Sequence, residues 1–330
     1  MGEDSLRIGL IGLGSMGRHH ARVIRATPGM ELVAVADPGG DRFGVAGPLP
    51  LLPDVEALIG VGLDAAVVAV PTIYHEEVAL ALARAGVHTL VEKPIAHCSR
   101  AGRRVADAFA ERDLVGAVGY VERCNPALRA LRERLDAGEL GQVYQVLTRR
   151  QGPFPARISD VGVVKDLATH DIDLTAWVAG AHYESVHARV AHRSGRANED
   201  MVLATGRLTN GVIVSHTVNW LTPFKERVTV VTGEKGAFVA DTLTGDLTFH
   251  ANGTVASTWD QVAAFRGVSE GDVIRYAIPK REPLALEQER FRDAVRGVGH
   301  EHVTMAEGAD TLAVVEAVLT SASENRVVGL

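Results

Sequence analysis

Lysine is scarce in this chain. Only five of its 330 residues are lysine (Lys93, Lys165, Lys225, Lys235 and Lys280), and arginine carries the rest of the positive charge. Cysteine is scarcer still: Cys98 and Cys124 stand alone and form no C-x-x-C. Two isolated thiols exclude a disulfide or zinc framework and suit a reducing compartment, so a cytoplasmic location is expected. No block of five basic residues occurs and the net charge is −7, which argues against a nucleic-acid or acidic-membrane partner. Apolar stretches such as Ala65–Val70 are far too short to span a bilayer. The acidic start, Met1-Gly2-Glu3-Asp4-Ser5, leads straight into a strand pattern and predicts no signal peptide. No internal repeat and no P-loop is visible.

What the chain does have is enough apolar material for a large core. With 46% hydrophobic residues over 330 positions it suits about two domains. The first 120 residues alternate strand and helix. Strand patterns cover Leu6–Ile11, Glu31–Ala36, Ala65–Val70, Val87–Val91 and Val115–Val118. Helix patterns cover Ser15–Ala26, Glu76–Ala85 (stopped by Gly86) and Arg100–Glu111. Continuous apolar strands alternating with helices predict a parallel sheet covered on both faces. Residues Pro38–Pro53 hold Pro48, Pro50 and Pro53 and predict a loop without a regular helix.

The pattern changes near Tyr120–Arg123. After a helix over Ala127–Asp136 come alternating segments at Val143–Thr148, Ser185–Ala191, Met201–Leu208, Val212–Asn219, Arg227–Val231 and Ala237–Ala240. Turns at Thr209-Asn210-Gly211 and Gly233-Glu234-Lys235-Gly236 join successive strands as hairpins. Helices over Leu284–Val295 and Met305–Ser323 close the chain. The expected fold is α/β, with a first domain over 1–122 and a second, mostly antiparallel one over 123–330. The last helix is expected to pack back on the first domain.

Three constellations carry chemistry. Gly12-Leu13-Gly14-Ser15-Met16-Gly17 fits G-x-G-x-x-G between a strand and a helix, and Asp37 ends the next strand. Such glycines let backbone N–H groups approach a pyrophosphate, and such an acid accepts both ribose hydroxyls and repels a 2′-phosphate. Pro38 follows Asp37, so NAD is expected in preference to NADP. Pro71-Thr72 and His75 follow the third strand and are candidates for the ribose-phosphate or nicotinamide side. Glu92-Lys93-Pro94 ends another strand, where open α/β sheets bind ligands. Lys93 can donate to a reacting hydroxyl, and Glu92 can hold it in place. Asp166-Leu167-Ala168-Thr169-His170-Asp171-Ile172-Asp173 then opens an apolar helix. Asp166, His170 and Asp173 share one helical face, and an imidazole suits general acid/base work. No H-x-x-x-H accompanies His170, so no metal is expected. The adjacent His19-His20 point apart on a helix and read as structural.

Together these residues resemble the Gfo/Idh/MocA family of NAD(P)-dependent oxidoreductases. The likeness rests on Gly12–Gly17, Asp37, Pro71-Thr72, Glu92-Lys93-Pro94 and Asp166-x-x-x-His170. It implies an N-terminal Rossmann domain, a C-terminal α/β domain with an open-faced, mostly antiparallel sheet, and a homodimer or homotetramer. It also implies Lys93 and His170 as the catalytic pair, with Asp166 and Asp173 lining the substrate site. Glu122-Arg123-Cys124-Asn125-Pro126 is similar to a segment of sugar-nucleotide members, with Cys124 in place of their aromatic residue. The run from Arg149 to Leu167 looks like that of UDP-N-acetylglucosamine 3-dehydrogenases. Arg123, Arg150 and Arg157, with Asn125, are then candidates for the substrate, the arginines for its pyrophosphate. The alternatives are an inositol, cyclitol or other ketosugar oxidoreductase, and a non-catalytic NAD-binding sensor.

Overall fold

A computed structural model describes residues 5–155, 161–253 and 271–330. The chain divides into two units, Met1–Val121 with Glu282–Glu316, and Glu122–Arg281 with Ala317–Leu330. The sequence places a boundary after residue 122 and keeps 123–330 together. In the structure Glu282–Glu316 returns to the first unit instead.

The first unit is built on six parallel strands: β1 (Leu6–Ile11), β2 (Met30–Ala36), β3 (Leu51–Leu52), β4 (Ala65–Val68), β5 (His88–Glu92) and β6 (Gly116–Gly119). Between them run α1 (Ser15–Ala26), α2 (Val55–Ile59), α3 (His75–Arg84) and α4 (Ser99–Ala110). Helices on both faces bury every residue of β4, which explains its unbroken Ala65-Ala66-Val67-Val68. Ile8, Leu10, Val35, Val67 and Leu90 form the core, joined by Phe291 from the returning segment.

The spatial order is β3-β2-β1-β4-β5-β6. The chain winds outward from β1 to β3, then crosses back to place β4 on β1's other side. The strand ends of β1 and β4 therefore diverge into a crevice, the place where such sheets bind nucleotides. Residues 38–50 contain no helix, as the prolines require. The Asp41 carboxylate organises the loop by accepting from the backbone N–H of Val45 (2.8 Å) and Ala46 (2.7 Å). The Val118 N–H donates to the Val303 carbonyl (2.9 Å), and Thr304 bridges Ala117, so the returning segment also lies along β6 and shields that sheet edge.

The second unit opens with α5 (Pro126–Asp136) and holds a nine-stranded sheet. Its strands are β7 (Val143–Pro153), β8 (Tyr183–Ala191), β9 (Met201–Leu208), β10 (Ile213–Asn219), β11 (Leu221–Gly233), β12 (Gly236–Asp241), β13 (Asp246–Ala251), β14 (Val273–Arg275) and β15 (Val328–Gly329). β7 and β10 pair in parallel and the other described pairs are antiparallel. Helix α6 (Thr169–Ala179) covers β7, and α5 covers β12 and β13. Inward positions such as Val146, Val202, Val214 and Phe238 are buried. Outward positions such as Leu203 and Ile213 stay about half exposed (47–50%), so among the described residues that sheet face is open there. Two further helices, α7 (Pro283–Val295) and α8 (Met305–Glu324), end the chain. The first part of α8 belongs to the first unit, where Asp310 pairs with Arg103 on α4 (2.6 Å). Among the described residues no helix is long and apolar enough to cross a membrane.

Candidate active site

The glycine loop after β1 has a separate physical reason for each glycine. Gly12 has φ +91°, and a Cβ there would sit 2.5 Å from the backbone of Ala69. A Cβ on Gly17 would sit 1.9 Å from the Gly12 carbonyl oxygen. Neither position admits a side chain. Gly14 is different: a Cβ there would meet nothing within 4 Å, so its restriction comes from the side left open to a ligand. Gly14 is also the N-cap of α1 and provides no side-chain cap. Ser15 and Met16 open the first helical turn, whose N–H groups are suited to an anion.

Asp37 stands at the end of β2, beside that loop. Its Oδ2 accepts from the Leu13 N–H (2.7 Å) and its Oδ1 from the Gly39 N–H (2.8 Å). Each oxygen keeps a lone pair for a ribose hydroxyl. A cavity of about 270 Å³ lies here, lined by Leu13, Gly14, Asp37, Gly39, Gly40, Arg42 and Phe43. The open glycine, the uncapped helix and the fixed carboxylate fit an adenine dinucleotide. Asp37→Ser should raise the KM for NAD by about 10- to 100-fold, the size of hydrogen bonds to a charged group. The KM for NADP should fall, because Arg42 in the same cavity loses its opposing carboxylate. Initial rates with both cofactors measure the switch.

Two strands away, β5 delivers Glu92 and Lys93. Glu92 is 8% exposed, and Lys93 is partly exposed on the ledge above it. Glu92 Oε1 lies 2.8 Å from His20 Nε2, and Oε2 accepts from the Lys93 backbone N–H (3.2 Å). Burial alone would raise the Glu92 pKa, but His20, Lys93 and His75 outweigh it and hold the carboxyl below its usual range.

His75 corrects the sequence expectation. It is 1% exposed, with Nδ1 2.8 Å from the Pro94 carbonyl and Nε2 2.9 Å from the Val70 carbonyl. The ring therefore ties the exit of β4 to the Lys93-Pro94 turn and does not reach out to a cofactor. Burial holds its pKa below the usual imidazole value, with both carbonyls opposing. Pro71 and Thr72 do remain accessible, at a 3₁₀ turn over Thr72–Tyr74.

In the second unit the expected helix does not begin as a regular one. Val164–Ala168 forms a π-turn, closed by the Thr169 N–H on the Val164 carbonyl, and only then does α6 start. Glu199 holds this turn: its side chain accepts from the Val164 N–H (3.0 Å) and its carbonyl from the Val163 N–H (3.0 Å). Such turns are concentrated at functional sites. Asp166 is buried within it, and His170 sits partly exposed in the first turn of α6.

The remaining expected substrate ligands have other work. Arg123 makes a two-point pair with Asp173, through Nε (2.9 Å) and Nη2 (2.6 Å), and both are nearly buried. Arg150 bridges Asp171 (2.9 Å) and Glu122 (2.7 Å) and is 4% exposed. Burial disfavours its charge, but the two carboxylates prevail and hold the guanidinium pKa above its ordinary value. Asn125 caps α5 through the Ala127 N–H (3.0 Å) and donates to the Thr242 carbonyl (3.0 Å). Arg123, Arg150, Asn125 and Asp173 thus clamp α5, α6 and the sheet together, in place of the diphosphate contacts expected of the arginines. Arg157 lies outside the described residues.

Sequence reasoning missed Glu199, Asp171, Glu122 and the buried role of His20. A histidine three residues past Gly17, with an acid at a neighbouring strand's end, was the available signal for His20.

The comparisons with known proteins agree with this geometry. The description "Oxidoreductase family, NAD-binding Rossmann fold" matches residues 6–120, and "GFO/IDH/MocA C-terminal domain" matches residues 128–239. The chain belongs to the Gfo/Idh/MocA family. It is 32% identical to UDP-N-acetylglucosamine 3-dehydrogenase of Acidithiobacillus ferrooxidans over 88% of each chain. The solved structure of that organism's UDP-N-acetylglucosamine 3-dehydrogenase GnnA superposes with TM-score 0.83 at 28% identity, covering 97% of this chain and 98% of that one. A Bacillus subtilis scyllo-inositol 2-dehydrogenase (NAD(+)) is 32% identical over 57% of this chain and 58% of its own. This Gfo/Idh/MocA protein is therefore an NAD-binding oxidoreductase of the kind that acts on CH–OH groups. The glycine loop and Asp37 would hold the nicotinamide cofactor, which would supply the hydride acceptor or donor.

Proposed function

We propose that the protein oxidises a secondary sugar hydroxyl, the C3 hydroxyl of a UDP-amino sugar such as UDP-N-acetylglucosamine, to the 3-keto sugar. His170 takes the hydroxyl proton, and Asp166 orients it. Lys93 donates to the substrate oxygen and steadies it as the C–H electron pair leaves. The observation that carries this reading is the extent of the likeness. The match to the Acidithiobacillus enzyme spans 88% of this chain, whereas the inositol relatives match 57–66%. A substrate assignment depends on the second unit, so the longer match weighs more. With Arg123 and Arg150 committed to carboxylates, Arg157 is the arginine left for the diphosphate. The open sheet face carrying Leu203 and Ile213 is proposed as the contact surface of a homodimer or homotetramer.

The second reading is a cyclitol dehydrogenase, favoured by the inositol relative. Following reduced-nicotinamide absorbance while offering UDP-sugars, free sugars and inositols with NAD separates the two. Turnover of UDP-N-acetylglucosamine is expected. Turnover of inositols alone would transfer the assignment to the second reading, and NAD binding without turnover of any alcohol would make the protein a sensor.

A further inference from the structure

Behind Glu92 runs a line of buried polar side chains that hydride transfer leaves unused. His20 on α1 and Gln288 on α7 are both 0% exposed, and Glu287 beside Gln288 is 8% exposed. Gln288 Nε2 lies 3.0 Å from His20 Nδ1, and His20 Nε2 lies 2.8 Å from Glu92 Oε1. An amide NH₂ only donates, so Nδ1 carries the lone pair and Nε2 carries the proton. That proton points at Glu92. Reversing the amide would put its oxygen against Nδ1 and make the ring an imidazolium, with Nε2–H still on Glu92. Either way the carboxylate receives a donor fixed from behind.

The surroundings make that donor matter. Glu287 Oε2 and Gln288 Oε1 have no hydrogen-bond partner among the described residues. Burial, together with the Glu92 charge, raises the Glu287 pKa well above the ordinary carboxylate value. The groups acting on Glu92 are thus His20 from α1, His75 from α3, Glu287 from α7 and the adjoining Lys93. We propose that His20 is a positioning residue: braced by Gln288, it orients the Glu92 carboxylate beneath Lys93 and so sets the placement of that lysine. The returning helix α7 gives the catalytic ledge its rear support. The catalytic part of this inference rests on Lys93 meeting the substrate oxygen.

The test reads Lys93 directly, without substrate. The lysines are reductively methylated with ¹³C, and Lys93 is assigned by loss of its signal in Lys93→Arg. In His20→Leu, Glu92 loses its donor and takes up a proton more readily. The midpoint of the acid step that Glu92 imprints on the Lys93 methyl signal should therefore rise by about one unit, the scale of a hydrogen bond to the charged form. His20→Gln, which keeps a donor, should recover part of that shift, and Gln288→Leu should give a smaller shift in the same direction. In a substrate that is turned over, kcat should fall by about 10²-fold, the cost of small misplacement, with the KM for NAD little changed. An unchanged acid-step midpoint in the variants that fold and bind NAD would overturn the proposal and leave His20 a packing residue. If the wild type turns over no sugar, the proposed reaction fails, while the midpoint still decides the role of His20.

Discussion

Lys93→Ala should lower turnover by about 10²–10⁴-fold, the range of a single acid/base or donor group, and His170→Ala should do the same. NAD binding should survive in both. The reason is a division of labour visible in the first unit. The residues suited to grip the cofactor are Gly12, Gly14 and Gly17 after β1, and Asp37 after β2. Lys93 stands at the end of β5, on the far side of β4 from that loop. Its backbone N–H is held by Glu92, so truncating the side chain leaves the turn in place. The alanine variant thus removes the ammonium from the ledge. His170 lies in the second unit, in the turn of α6 that follows the Glu199-bound π-turn, beside the clamps that hold α6 down. Those clamps are Asp171 and Asp173. Isothermal titration with NAD and single-turnover rates with the substrate separate the effects. Full turnover in either variant would remove that residue from the chemistry.

Much of this arrangement was legible from local pattern. β1 at Leu6–Ile11, α1 at Ser15–Ala26 and β9 at Met201–Leu208 lie where apolar periodicity puts them, because each has a continuous or cleanly alternating face. The hairpin turn at Gly211 has φ +87°, the conformation that only glycine enters freely. What escaped were features decided at long range. β13, β14 and β15 are short, partly polar edge elements whose pairing depends on neighbours. The π-turn at Val164–Ala168 depends on Glu199, which lies 35 residues further along the chain. Spacing showed an acidic, titratable run at Asp166–Asp173 and arginines upstream, but not which would meet. Arg123 and Asp173 are 50 positions apart, and His20 and Glu92 are 72 apart. An arginine destined for a phosphate and one destined for a buried carboxylate look alike in a sequence, since both recognise planar oxygen pairs.

That ambiguity gives the second large effect. Arg150→Met should destabilise the protein by about 3–5 kcal/mol, the usual cost of leaving buried charges without their partner. Arg150 and Asp171 have side chains only 5% and 3% exposed, and Glu122 lies on the other side of the guanidinium at 16%. Glu122 Oε2 has no other hydrogen-bond partner among the described residues. Burial already raises the Asp171 pKa, against the pull of Arg150, and removing that pull raises it further. A carboxyl with a folded-state pKa above its unfolded one binds more protons when folded, so stability falls as pH rises through that interval. The deficit of Arg150→Met should therefore be largest near neutral pH and shrink on acidification, as Asp171 takes up a proton. Adding Asp171→Leu and Glu122→Leu to Arg150→Met should recover most of the loss, because an apolar cluster needs no charge compensation. Urea unfolding across pH measures each variant. A diphosphate-binding Arg150 would behave oppositely: its loss would raise the KM for the sugar nucleotide, leave the unfolding midpoint in place, and gain nothing from the two leucines.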